Sequence, residues 1–390
     1  MSADETLTNE SEEQFEARHA SNLELFLDLV FVFAITQIAL LIGHDLTAAG
    51  TARGLLIALL MWWQWSQFTW AGSVADLQKR TGTRVLVLCM IPATLLVTIA
   101  IPDAFHERGI WFAAAYFGVQ VLVLVMQGVL LYSDAASRRG FRMYLSMAAL
   151  TPIAVLIGGL AHGDARVAWW TAAVVVNVIG SILGASRNRT INPSHFAERH
   201  SLFIIIALGE VVVAAGATAS GGVLDRDTTI AIVVCVAVAC AQWWTYFAFV
   251  PAVGEHLLAA AKPNRRGPLA RDFFTFGHFP LVAGLVMFSV VVEHLIEHPT
   301  ESLEVADRWL LALSVLAFTG GLFVLKLRVT GKGSPDRVAT IVVAGLLCWA
   351  GAELSGVVVV GGIATLYAVA QGFRYARFRR EDLGSNLITG

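Results

Sequence analysis

The sequence predicts an all-α fold: a polytopic integral membrane bundle of about twelve transmembrane helices, arranged as two parallel six-helix halves. Three observations predict it. Hydrophobic residues make up 57% of the chain and charged residues 14%, against roughly 25% charged in an ordinary soluble domain. A mean hydropathy of +0.69 over the whole length requires many apolar segments rather than one or two anchors. Those segments recur at about the ~20 residues a helix needs to span a bilayer, and short polar turns separate them.

Taken in order, the spans fall at 23–43, 54–72, 84–101, 110–131, 142–161, 167–184, 200–219, 227–250, 276–295, 307–327, 337–352 and 355–374. Turn chemistry punctuates them at Pro102-Asp103, Ser220-Gly221-Gly222, Pro263-Asn264 and Lys332-Gly333-Ser334-Pro335. The last two spans leave almost no loop between them. The implied organisation is a cytoplasmic N-terminal tail (1–22), a first half (23–184), a cytoplasmic linker (185–199), a second half (200–375) and a cytoplasmic C-terminal tail (376–390). The first 22 residues carry no basic n-region and no cleavage site, so no signal peptide is expected.

Lysine and arginine orient the spans. Nearly all of the 27 fall in alternate connections and in the two tails, among them Arg18, Arg187 and Arg189. The intervening loops hold only Arg53, Arg108, Arg166, Arg226 and Arg308. Cytoplasmic connections carry the excess of positive charge, which places both termini on the cytoplasmic side. A net charge of −2 with no basic face argues against nucleic acid as a partner. Membrane lipids are the expected surroundings, and a small ion or small molecule is the substrate class such a bundle would take. The sequence does not fix an oligomeric state.

The chain also looks doubled. Phe15 to His19 (FEARH) precedes the first span and Phe196 to His200 (FAERH) the seventh, 181 residues later, and Trp62-Trp63 and Trp243-Trp244 share that offset. Under this register Asp28 and Glu210 sit at similar depths in their halves.

These acids are the candidate functional groups. Glu24 and Asp28 are four residues apart and share a helical face. Glu210, in LFIIIALGEVVVAAG, is the most deeply embedded acid. A charged group in hydrocarbon costs several kcal/mol and usually faces the protein interior or a wet pathway. Glu24, Asp28, Arg199, His200 and Glu210 therefore form a candidate intramembrane site for a proton, ion or substrate. The alternative is that the acids are hydrogen-bonded to neighbouring helices for assembly. Gln37, Trp62, Trp63, Gln67, Gln242, Trp243 and Tyr246 lie in unusually polar or aromatic stretches; they either line a cavity or serve packing and the interfacial aromatic belt. Asn177 reads as an interhelical hydrogen bond beside Gly180 and Gly184.

No catalytic constellation stands out. His294-Leu-Ile-Glu297-His298 has an H-x-x-E-H spelling, but Pro299 follows at once and no third ligand pattern appears, so it reads as a polar interfacial cluster. Cys89, Cys235, Cys240 and Cys348 sit inside apolar spans without metal-ligand spacing. No metal and no cofactor is expected.

The segments LELFLDLVFVFAITQIA, HFAERHSLFIIIALGE, WWTYFAF and FGHFPLVAGLV together resemble the bacterial low temperature requirement protein A (LtrA) family. The resemblance covers nearly the whole chain. It implies a polytopic membrane protein linked to growth at low temperature, and it marks Glu24, Asp28, Arg199, His200 and Glu210 as motif positions without assigning them chemistry. Val211 stands where the family often carries serine after the acid, and Ser201 where it often carries glycine after the histidine. Any role needing a hydroxyl beside the acid is thus in doubt.

Three function classes remain open. A secondary transporter or ion pathway suits paired intramembrane acids and doubled halves. A non-transporting envelope or cold-adaptation component would need no cavity leading to Glu210. An intramembrane enzyme acting on lipid would need acid, base and donor groups gathered near one surface, which only the Arg18, His19, Glu24 and Arg199, His200 cluster offers.

Overall fold

Long apolar runs with polar ends dictate helices here, because a chain in hydrocarbon must satisfy every backbone group within its own segment. The computed structural model describes residues 19–74, 76–131, 138–183 and 191–388; Arg18, Gly184, Arg187 and Arg189 lie outside them. The helices are α1 (Asn22–His44), α2 (Ala48–Val74), α3 (Thr81–Ala100), α4 (Gly109–Leu131), α5 (Arg138–Leu160), α6 (Gly163–Leu183) and α7 (Pro193–Gly221). They continue as α8 (Arg226–Phe247), α9 (Val250–Ala260), α10 (Pro263–Ala270), α11 (Gly277–Glu297), α12 (Val305–Thr330), α13 (Pro335–Ala350) and α14 (Gly356–Ile388).

Each of the twelve expected spans falls on a helix. Among the described residues, ten helical stretches are both long and apolar enough to cross a membrane. Two helices stand outside that set: α2, whose second half is tryptophan- and glutamine-rich, and α5, of which Ala148–Leu160 is a shorter apolar stretch. No strand occurs among the described residues beyond one isolated bridge, Ser302 to Ser355. The tight join between the last two spans is made by a 3-10 turn, Gly351–Glu353.

Local chemistry sets the ends. Pro193, Pro263 and Pro335 each open a helix, where the missing N–H costs nothing. Asp225 caps α8 by accepting the Thr228 N–H at 2.8 Å. Gly331, at φ 64°, closes α12 in the left-handed conformation that glycine adopts without strain. Between α10 and α11 the backbone loosens into a π-helical stretch, Arg271–Phe276, a feature frequent at functional sites.

The chain forms two compact units. The first takes Met1–Ala34, Leu59–Leu202 and Pro251–Thr275. Within it α3, α4, α5 and α6 pack as successive neighbours. Arg166, read from sequence as a loop cation, is buried at the start of α6 and donates to the carbonyls of Ala104 (2.9 Å), His106 (2.8 Å) and Ala161 (3.0 Å). It so satisfies carbonyls left over where helices end. Thr151 donates to Asn177 at 2.7 Å, joining α5 to α6.

The second unit takes Ile35–Ala58, Phe203–Val250 and Phe276–Gly390. Here α11 is its most enclosed helix: 78% of its spanning window is buried, against at most 50% in every other span. Gly284 lets α12 approach, since a Cβ there would meet the Ser314 carbonyl at 2.7 Å. Helix α12 also neighbours α13, and α14 packs on α8 and α13.

Large apolar side chains stay exposed along many helices, among them Leu29, Leu96, Val233 and Leu346. On a soluble protein such stripes would be liabilities. On a spanning helix they are the lipid face.

Candidate functional site

In the first unit two helices carry matching i, i+4 pairs of opposite charge. Helix α1 presents Glu24 and Asp28, and α7 presents His195 and Arg199. Residues four apart share a face, so the helices meet as a two-rung ladder. His195 Nε2 lies 3.0 Å from Glu24 Oε1. Arg199 grips Asp28 with both terminal nitrogens, at 2.5 and 2.7 Å, the forked geometry that makes Arg–carboxylate pairs strong.

Surrounding groups fix each rung. Ser21 and Glu24 form a reciprocal capping box, with the Ser21 N–H donating to Glu24 Oε2 at 2.9 Å and the Glu24 N–H donating to Ser21 Oγ at 3.3 Å. The Glu24 carboxylate fits only because residue 72 is glycine, whose absent Cβ would collide with Oε1. The Trp65 indole N–H donates to Asp28 at 3.0 Å. The Arg199 guanidinium lies 5.7 Å from the Trp65 ring and 5.8 Å from the Phe68 ring, within cation–π range.

His200 sits beside this ladder in an aromatic nest of Trp62, Trp65, Phe196 and Phe274, with Nδ1 2.8 Å from the Phe196 carbonyl. The π-helical stretch contributes Thr275, whose carbonyl accepts the Trp62 N–H at 2.8 Å and whose hydroxyl accepts the Trp70 N–H at 3.0 Å. Every acid in this cluster has a basic partner. It can clamp α1 to α7, through an ion pair at Asp28–Arg199 and a hydrogen bond at Glu24–His195.

The second unit holds a different arrangement. Glu210, buried halfway along α7, accepts a hydrogen bond from Thr36 Oγ1 of α1 at 2.5 Å. The charged group within electrostatic reach is another acid, Glu293 of α11. Glu293 in turn lies within electrostatic reach of His294 and Glu297 on its own helix and of His44 at the end of α1. Among the described residues no lysine, arginine or histidine pairs with Glu210. His294 is itself engaged by Asp307 at 2.7 Å.

One and two turns further along the same helices, α11 and α7 border an open cavity of about 620 Å³. Thr218, Asp225, Asp227, Thr228, Glu297 and Thr300 are among its lining residues. At its rim the Thr228 N–H holds the Asp225 carboxyl below the usual aspartate range.

The family model for the bacterial low temperature requirement A protein (LtrA) matches residues 19–371. The chain belongs to this family. A relative of this LtrA member, the uncharacterized protein RA0937 of Rhizobium meliloti (strain 1021), is 30% identical over 298 residues, covering 72% of this chain and 70% of the relative. No solved structure is significantly similar to it.

The motif positions of this LtrA chain thus separate. Glu24, Asp28, Arg199 and His200 come together in one unit, with Trp62 and the buried Trp63 and Gln67 on α2. Glu210 lies in the other. Tyr246 pairs with His278 there, Oη to Nε2 at 2.9 Å, and Gln242 is buried on the same helix. Trp243 is 46% exposed, one residue from the buried Gln242 on α8. Gln37 is half-buried.

Sequence reasoning named Arg199 without its partner and did not single out His195, Thr275 or Glu293. The signal for His195 was present: its spacing to Arg199 repeats that of Glu24 to Asp28. Among the described residues no group of three or more His, Cys, Asp or Glu side chains is placed to hold a metal.

Proposed function

We propose that this LtrA-family membrane protein is a secondary transporter or ion pathway in which Glu210 is the proton- or cation-responsive group. The observation that carries this reading is the contrast in charge balance. Asp28 and Glu24 are paired with Arg199 and His195, whereas Glu210 faces Glu293 with no positive partner among the described residues. A buried carboxylate within reach of a second, half-buried one is tolerated when a proton or cation balances them. The cavity bordered by α7 and α11 begins about two turns from Glu210, and in this reading ions approach through it from the side of the loops carrying Arg226 and Arg308, taken as the outer side from the charge asymmetry. In this reading the Asp28–Arg199 ladder is the fixed element, both termini are cytoplasmic in the plasma membrane, and the two six-helix halves descend from one repeat.

Reconstituted protein should carry a proton or monovalent cation flux above that of empty liposomes when a pH or sodium gradient is imposed. Glu210→Gln, which keeps shape and removes the charge, should cut that flux at least tenfold. Equal flux in the variant would reject Glu210 as the responsive group. Wild-type flux no greater than that of empty liposomes, for protons and for sodium, would reject the transport reading.

A further inference from the structure

Within the first unit, helices α2 and α4 face each other through a stripe of amides. On α2, Leu60, Gln64 and Gln67 share a face; on α4, Tyr116, Gln120 and Gln127 do the same, at helical spacing. The stripe is tied at two points. At one end the Tyr116 hydroxyl donates to the Leu60 carbonyl at 3.5 Å, with the Gln120 amide donating to that hydroxyl at 3.2 Å. At the other, the Gln127 amide donates to the Gln67 carbonyl at 3.4 Å.

Between the ties the amides go unanswered by protein. Gln64, Gln67, Gln120 and Gln127 are each no more than 4% exposed. Both side-chain polar atoms of Gln64 and of Gln67, and the side-chain oxygens of Gln120 and Gln127, have no hydrogen-bond partner among the described residues. A buried polar atom left unpaired costs about 1–3 kcal/mol, and six of them on one stripe would be a large and systematic cost. Buried groups of this kind are met by bound solvent or by a ligand.

We infer that the α2–α4 stripe binds small neutral solutes that both donate and accept hydrogen bonds, a chemistry shared by water and by short polyols. Three properties select that class. The unpaired atoms are two amide donors and four oxygen acceptors, so an ion of either sign would leave some of them unmet. No charged side chain belongs to the stripe. Leu60 and Gln67 are about 10 Å apart along the helix, a length matching a chain of roughly three molecules at the ~2.8 Å spacing of O–H···O bonds. This inference stands apart from the Glu210 reading and survives its failure.

The test is a density map of the full-length protein at a resolution that shows ordered solvent, from glycerol-free and glycerol-containing preparations. Discrete features within hydrogen-bond reach of Gln64 and Gln120 in both maps identify water. A continuous feature confined to the glycerol preparation identifies a polyol. Either supports the inference, and the feature should vanish in Gln64→Leu with Gln120→Leu. Both maps empty, with the amides turned onto protein partners, would overturn it. Hydroxyl-radical labelling checks the water case in solution: Tyr116 and Phe112 are equally buried, yet Tyr116 should be labelled several-fold faster in both preparations if water sits beside it. Equal labelling together with an empty glycerol-free map removes water as the occupant and leaves the polyol map alone to decide.

Discussion

Asp28 and Glu210 sit in equally apolar helices, yet the protein treats their charges in opposite ways. Asp28 is held by a forked guanidinium and an indole N–H; Glu210 is held by one hydroxyl and opposed by a second acid. Removing one partner from a buried pair strands the other charge, at about 3–5 kcal/mol, whereas replacing both by apolar groups is often close to neutral. Arg199→Met should therefore lower the unfolding midpoint in detergent sharply, and adding Asp28→Leu should recover most of the loss. If the double variant is no more stable than the single, the ladder is not a balanced pair. Glu210→Gln should leave that midpoint nearly unchanged, since no ion pair is broken. The sequence made both acids visible, because acidic letters in a spanning run are rare. It did not make the partners visible: Asp28 and Arg199 are 171 residues apart, and nothing local in either helix names the other.

At the scale of elements, helix ends show how local chemistry and function overlap. Asp225 caps α8 and borders the cavity, and its carboxyl is held below the ordinary aspartate value of ~3.9. A carboxyl depressed in the folded state stabilises above its unfolded value, and that contribution fades as pH falls through the folded one. Asp225→Ala should accordingly lower the unfolding midpoint at neutral pH, with the difference from wild type closing on acidification below ~4. A difference independent of pH would mean that the cap works through geometry alone. Element positions were largely legible, because apolar runs bounded by proline and glycine mark helices at both ends. The irregular segment between Phe249 and Gly277 was not. Its two short helices and π-helical stretch meet closely at Gly254, where a Cβ would collide with the Phe273 and Phe274 rings. Periodicity cannot express that constraint.

For the whole molecule, charge asymmetry and hydropathy were the informative signals, and both are sums over many residues rather than properties of one. The arginine bias predicts which loops face the cytoplasm. In a cysteine-free background, Val223→Cys should react with an impermeant maleimide in intact cells, and Arg265→Cys only after the cells are opened; both positions are exposed. The reverse pattern would invert the topology. At least one of those arginines also finishes a helix: Arg266 donates to the Leu258 carbonyl, in the last turn of α9, at 3.0 Å. A count of loop cations therefore mixes orientation with capping. The central claim is that Glu210, which has no positive partner among the described residues, is the carboxyl that responds. Infrared difference spectra of the reconstituted protein, recorded between two pH values and with and without sodium, report that directly. The account predicts a carboxyl C=O band that changes with proton or cation, disappears in Glu210→Gln and persists in Asp28→Asn. A responsive band that survives Glu210→Gln, or the absence of any responsive carboxyl band in the wild type, would contradict it.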